Sequence, residues 1–484
     1  MNRIDYYKIG FLLLIPLLVF FPAFYTHYFY TDEIVQLWLY RKGSDFNMFI
    51  PQGRLLNNGL FRFMYSNIDT IDQLVRLHVF ALVSWLISLP VWYFVFAQIT
   101  KKEGLPVQLP FFATLFLVTS LPFGIAIQWA ACMELPIAYT CGLLAGYLVY
   151  RYDRRGWLPA MLLGLIAAFF YQNGVGCFLL PFFLRFIAGR RADKSMLPVL
   201  FFYFSIYLVY FLLFKVLSST VLHVGISDRA AFANNPFTKA YFFVFKVLPS
   251  AFHFNMVIPE TSMPGRLVFF VIAGACLWVD FTRLEGIRDR LIHTLLIIGA
   301  FGLIYLPSMI IKENYASNRT MLGMDLAAFL WVFSTLMRLL QEERLRWRGA
   351  VTVGVLLIAI SLYNYRVIFL PPAVHEYTAM KTFFDRNYDP KTIHSVTYIR
   401  EGEENVRSQY HVGSSWDEYG FYSSYFAWVP EFFSRQLVFE KTGSRALGEQ
   451  LEVKVWIDRK AWQASGQQVG PGNLFVDAPA ILSK

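Results

Sequence analysis

Long apolar stretches follow one another from residue 9 to residue 370, separated by short polar breaks, and the pattern changes after Pro371-Pro372. The stretches lie at 9–29, 76–99, 109–127, 133–150, 157–171, 174–188, 197–218, 266–282, 291–311, 321–339 and 350–370. Each approaches the roughly 20 residues that carry a helix across a bilayer. The pattern therefore predicts an α-helical polytopic membrane protein with eleven transmembrane helices. The fifth and sixth stretches meet at Tyr171-Gln172-Asn173-Gly174, where one broken helix pair is the alternative. Bulky aromatics, not a small-residue cleavage site, follow the first stretch, so it is expected to be retained.

Lysine and arginine set the expected orientation. Arg3 and Lys8, Lys101 and Lys102, Arg151, Arg154 and Arg155, Arg190, Arg191 and Lys194, Arg283, Arg288 and Arg290, and Arg344, Arg346 and Arg348 fall in alternate connections. The connections 128–132 and 172–173 carry none. Basic residues accumulate in cytoplasmic loops, so the N-terminus is expected inside and, with an odd span count, the C-terminus outside.

Three outer segments then exceed a turn: 30–75, 219–265 and the tail 371–484. In the first, Asp32 to Tyr40 reads as a short interfacial helix anchored by Trp38 and Tyr40. In the second, Asn234-Asn235-Pro236 ahead of Phe237 to Leu248 predicts another, opened by a cap and an early proline. Both would roof a cavity at the outer leaflet. The tail carries alternating runs at 395–399, 436–440, 451–457 and 473–476 and a helical pattern at 373–387. The expected organisation is a transmembrane catalytic domain over 1–370 and a small soluble α/β domain over 371–484.

Composition agrees. Of 484 residues 56% are hydrophobic and 16% charged, which sets the chain apart from ordinary soluble domains. The net charge of +10 sits in clusters between apolar runs, so it speaks for membrane orientation and against nucleic acid as a partner. Cys132, Cys141, Cys177 and Cys276 are too dispersed for a zinc set or a disulfide framework.

Ionisable residues are sparse within the apolar runs and gather at their outer ends. Transporters more often carry such groups at mid-membrane, so the distribution points to a site at the outer surface. Asp32 is the first candidate for a general base, because a half-wet position keeps a carboxylate ionised at neutral pH. Thr31 or Asp32 would equally suit a helix cap. Glu33 turns about 100° away on a helix, and is retained as a positioning or cation-binding acid. Glu134 opens the fourth run in a loop otherwise without charge, either as a second acid or as a solvated helix start. Lys312 and Arg319 bracket Glu313 to Asn318 where positive charge is not expected. An anionic ligand would explain them, as would snorkelling to headgroups. Arg54, after Gly53, has the same two readings. The candidate set is Asp32, Glu33 and Glu134 for catalysis, Arg54, Lys312 and Arg319 for a phosphate, and His253 and Tyr315 as further cavity residues. No metal-ligand spacing is present.

A first span followed at once by an acidic pair, a Gly-Arg segment in a long first outer loop, many spans and an outer C-terminal domain resembles the GT-C class of membrane glycosyltransferases, in particular the bacterial GtrII-like group. The resemblance covers residues 1 to 370. It implies that Asp32 matches the first-loop catalytic acid, Arg54 the Gly-Arg segment and Arg319 the late-loop arginine beside the lipid phosphate. The activity implied is inverting transfer of a sugar from a polyprenyl-phosphate donor to a surface glycan or lipid-linked acceptor, outside a bacterial inner membrane, with a divalent cation optional. A transporter or flippase of lipid-linked glycans is the alternative and would require a polar path across the bilayer. An O-antigen-ligase-type transferase would differ in taking a diphosphate-linked donor.

Overall fold

The computed structural model describes residues 3–189, 196–225, 227, 231–255, 263–314, 316–400 and 421–483. Helices dominate, and proline explains where many begin, because in the first turn its missing N–H has no partner to lose. α1 (Arg3–Val19) gives way to a 3-10 turn at Phe21–Phe24 around Pro22. α2 (Asp32–Leu39) and α3 (Leu55–Tyr65) occupy the first loop, and α4 (Val75–Glu103) is the first long helix. α5 (Leu109–Thr119) and α6 (Leu121–Gln128) bend by 41° at Ser120, whose hydroxyl accepts the Phe123 N–H. α7 (Leu135–Tyr152) turns back into α8 (Trp157–Phe170) through Asp153, held at φ 48. The 3-10 segment Gln172–Leu179 then leads to α9 (Leu180–Gly189) and α10 (Met196–Val216). α7 lies so close to that segment that a Cβ on Gly142 would collide with the Gly174 carbonyl. Next come α11 (Pro236–Phe242), α12 (Leu248–Ala251), α13 (Met263–Phe281), α14 (Gly286–Ile304) and α15 (Leu306–Ile310). α16 (Asn318–Leu339), α17 (Glu343–Tyr363) and α18 (Leu370–Asn387) complete the bundle.

Among the described residues six helical runs are long and apolar enough to cross a membrane, or seven if the bent α5–α6 pair counts as one. Eleven apolar stretches were expected, and the difference has local causes. The first stretch stops being helical at Val19, the sixth is divided between the 3-10 segment and α9, and the ninth breaks at Tyr305. The fourth and fifth lie in one helical run, Ala130–Phe170. α10 and α13 expose Phe201, Leu208, Phe270 and Trp278, as lipid contact requires.

Pro371 and Pro372 do not interrupt the chain. Glu343–Asn387 is one helical run with a π turn at Asn364–Phe369, and both prolines sit in the first turn of α18. Beyond it, β1 (Ser395–Ile399) is the centre of a parallel sheet of order β2-β1-β3, with β2 at Glu452–Trp456 and β3 at Asn473–Asp477. Parallel neighbours need crossovers. α19 (Val429–Thr442) and α20 (Arg445–Gln450) lie between β1 and β2, α21 (Arg459–Ala464) between β2 and β3, and α22 (Ala478–Leu482) follows. The run 436–440, expected as a strand, belongs to α19. Val429, Phe433, Gln436 and Leu437 are buried at helical spacing, and that stripe overrides the local alternation. Gly443, at φ 69, ends the helix.

Two apolar cores result. One fills the helix bundle. The other joins Ile34, Leu37, Phe49 and Phe61 of the first loop to Tyr377, Phe433, Leu437 and Val476 of the tail. Trp38 and Tyr40, expected as lipid anchors, are therefore covered, at 4% and 1% exposure. The Arg445 guanidinium lies 4.2 Å over the Trp38 ring, and the Tyr40 hydroxyl donates to Asn58.

Candidate functional site

α7 and α16 begin, and α8, α10 and α15 end, around a cavity of about 910 Å³. That is near the top of the roughly 300–1,000 Å³ usual for small-ligand sites. Asp32, Arg54, Glu134 and Arg319 all line it. With Glu313, which also lines it, five charged residues drawn from positions 32 to 319 share one chamber, three acids and two arginines. The first loop adds Gln36, Met48 and Gln52, the tail adds Phe426 and Trp428, and α10 adds Tyr207, Tyr210 and Phe214. Of the apolar lining residues, Leu208, Phe211, Phe232, Ile310 and Trp428 are exposed.

The two arginines are held by aromatic faces. Arg54 lies 4.5 Å over Tyr171 and donates from Nε to Gln172 Oε1 at 3.1 Å. Gln172 in turn donates to the Gln52 carbonyl and to Tyr210 Oη, each at 2.8 Å. Arg319 lies 4.7 Å over Trp129, and its carbonyl accepts the Tyr139 hydroxyl at 2.5 Å. Stacking fixes a guanidinium without consuming its N–H donors. The positive ends of α7 and α16 face the same region and, with the two arginines, offer an anion a place beside the three acids Asp32, Glu134 and Glu313. Gly53, at φ 80, is needed for a close approach, but the neighbour is the protein's own Tyr210 side chain.

The acids divide. Asp32 opens α2 and accepts the Trp428 indole N–H at 2.8 Å. Thr31 before it makes no side-chain cap and sits at φ 43, an unusual value for a β-branched residue. Its N–H donates to the Ser423 hydroxyl at 3.0 Å. Glu134 is the N-cap residue of α7 and is 1% exposed, so it is not a solvated helix start. Its Oε2 is buried without a hydrogen-bond partner, and Arg54 and Arg319 act on it electrostatically.

Glu33 lies outside the chamber lining. Fully buried, it accepts the N–H groups of Tyr30 and Ala130 and sits 3.1 Å from His78 Nε2, tying the first loop to α4 and to the approach to α7. Lys312 is exposed and not itself a lining residue, although its neighbours Ile311 and Glu313 line the chamber, as does Ala231, whose carbonyl accepts the Lys312 N–H at 2.7 Å. His253 is buried beside the Gly265 carbonyl, also apart from the chamber. Tyr315 lies outside the described residues. From the segment 219–265, the cap on Asn235 forms as expected, but Ala231 and Phe232 reach the chamber instead of the helix after it.

Gln172, Tyr171, Tyr210, Trp129 and Trp428 were not anticipated as site residues. The polar break Tyr171-Gln172-Asn173 at the end of an apolar run was a usable signal; Trp428 had none. Among the described residues no group of three or more His, Cys, Asp or Glu side chains could hold a metal ion, and all four cysteines are free. No family model matches the sequence, and no curated protein matches it. The fold and site define a mostly helical chain with several helices able to span a membrane and a charged chamber at their ends.

Proposed function

We propose that the chain is a GT-C-class glycosyltransferase that moves a sugar from a polyprenyl-phosphate donor to a glycan or lipid-linked acceptor, with inversion. The observation that carries this reading is the convergence of Asp32, Glu134, Arg54 and Arg319 on one cavity, part of whose apolar lining is exposed. A lipid-linked anion needs cations beside an apolar flank, which Arg54 and Arg319 with Leu208, Phe211 and Ile310 supply. The reading also takes the shorter helices to complete an eleven-span bundle in a bacterial inner membrane. Its N-terminus would be cytoplasmic, and the tail from residue 371 would form an outer domain.

The acceptor hydroxyl oxygen bonds to the anomeric carbon while the carbon–oxygen bond to the phosphate breaks and its electron pair leaves with the phosphate. Asp32 takes the hydroxyl proton. Arg54 and Arg319 neutralise the charge that grows on the departing phosphate, which needs no general acid. Glu134, buried beside both arginines, holds them in register.

The test uses purified protein in lipid vesicles and a panel of polyprenyl-phosphate hexoses, with transfer followed by radiolabel. Asp32→Asn abolishes transfer with unfolding temperature unchanged. Arg319→Met lowers kcat by about 10²-fold, the loss typical of removing one preorganised charge-stabilising donor. Full transfer by Asp32→Asn would remove Asp32 as the base.

A further inference from the structure

The tail brings aromatic side chains to the chamber that the transfer step does not use. Trp428 and Phe426 line the cavity with Asp32, their ring centroids 5.0 Å apart, and Tyr425 packs 5.4 Å from Phe426. Trp428 is 49% exposed although it is part of a built wall. An indole has a single hydrogen-bond donor, and that donor is engaged by Asp32 Oδ1 at 2.8 Å. What Trp428 still offers a ligand is its ring surface. The ring lies within one hydrogen bond of the carboxylate assigned as base, whereas the exposed aliphatic lining residues Leu208 and Ile310 belong to α10 and α15.

A pyranose matches this combination. One face of the sugar presents C–H groups, which pack on the electron-rich face of an aromatic ring. Its edge presents hydroxyls, and one of them would then lie beside the carboxylate bound to that same indole. A lipid chain would use the ring but leave the carboxylate unmatched. A linear polyol would match the carboxylate but not the ring.

We propose that Trp428, backed by Phe426, is the stacking platform for the acceptor saccharide, holding a pyranose so that a free hydroxyl meets Asp32. The proposal rests on the glycosyltransferase reading above for the word acceptor, and its test separates the two. Binding of methyl glucoside, methyl galactoside and methyl mannoside to the detergent-solubilised full chain is measured by saturation-transfer NMR, with sorbitol as the ring-less control. At least one glycoside binds and sorbitol does not. Trp428→Ala weakens that binding roughly tenfold, the scale of one aromatic stacking contact, and Trp428→Phe, which keeps a ring and loses the N–H, stays close to wild type. If Trp428→Phe falls as far as Trp428→Ala, the indole only orients Asp32 and the platform is refuted. Absence of glycoside binding to the wild type refutes it as well. In the transfer assay the platform raises KM for the acceptor in Trp428→Ala without changing KM for the donor. Transfer with an unchanged acceptor KM overturns the platform and leaves the glycosyltransferase reading standing. Glycoside binding that needs the ring, with no transfer from any donor, supports the platform and overturns that reading instead.

Discussion

Glu33 and Asp32 are neighbours in sequence with different surroundings, and replacing Glu33 tests that division by stability. Its carboxylate is fully buried and accepts two backbone N–H groups, from Tyr30 and Ala130, beside His78. Glu33→Ala leaves both N–H groups buried without an acceptor. At roughly 1–3 kcal/mol for each orphaned donor, the loss is about 2–6 kcal/mol before any cavity is counted. Glu33→Gln retains one carbonyl oxygen but turns an NH₂ group toward a second donor, so it falls in between. Unfolding of a large membrane protein is rarely two-state. The measurement is therefore the half-life of tertiary structure at raised temperature in detergent, by intrinsic fluorescence. Glu33→Ala shortens it by more than tenfold, while Asp32→Asn, exchanging a partly exposed carboxylate for a near isostere, does not. If Glu33→Ala survives heating as long as wild type, the buried carboxylate is not the brace between the first loop and α7 described above.

Gly53→Ala places a non-glycine residue at φ 80 and drives its Cβ into the Tyr210 side chain, so thermal stability falls by about 1–3 kcal/mol. Adding Tyr210→Phe removes the nearest colliding atom, and the double variant recovers part of the loss in the same melt; no recovery would refute the collision. Glu440 accepts the Ile71 N–H at 2.7 Å and a Gln436 Nε2–H at 2.9 Å, and burial holds its carboxyl above the usual carboxylate range. A raised folded-state value means the folded protein binds this proton more tightly than the unfolded chain does. The contribution is complete below about pH 4.3, the unfolded value, and is lost as pH rises through the folded value. Melting curves taken across that window decline less steeply for Glu440→Gln than for wild type; parallel slopes would contradict the assignment.

The site was legible where it depended on helix ends. Asp32, Glu134 and Arg319 each sit beside the limit of an apolar run, and alternation of helix direction sends those ends to one side whatever the packing; Arg54, in the middle of the first loop, had only its sequence neighbour Gly53 to mark it. Rotation about a helix was not legible. Nothing local says that Asp32 faces the chamber while Glu33 turns inward, because this depends on α4 and the segment before α7 supplying partners. The interrupted spans escaped notice because hydropathy measures an apolar run without regard to the bend at Ser120 or the break at Tyr305. Alternation misled at 436–440, where a helix buries residues spaced three and four apart. Trp428 was invisible for a different reason. Its partner Asp32 lies 396 positions earlier, and only long-range packing joins them.

That packing gives the tail a part in the site whatever the substrate. Thr31 at φ 43 costs on the order of 1–3 kcal/mol, and such strain persists only when the surroundings over-determine it. The surroundings here come from the tail. Glu376 of α18 accepts the Ser423 and Ser424 N–H groups at 2.6 and 2.8 Å, and the Ser423 hydroxyl accepts the Thr31 N–H. A buried carboxylate thereby sets a short loop, the loop sets the strained residue, and that residue sets the direction in which Asp32 enters α2. Trp428 fixes the carboxylate from the other end. The first loop and the tail bury one shared core around this chain of contacts, so the candidate base is aimed by residues more than 300 positions away in sequence. A tail that merely followed the bundle would have no reason to carry a buried glutamate whose two oxygens serve the backbone beside that aspartate.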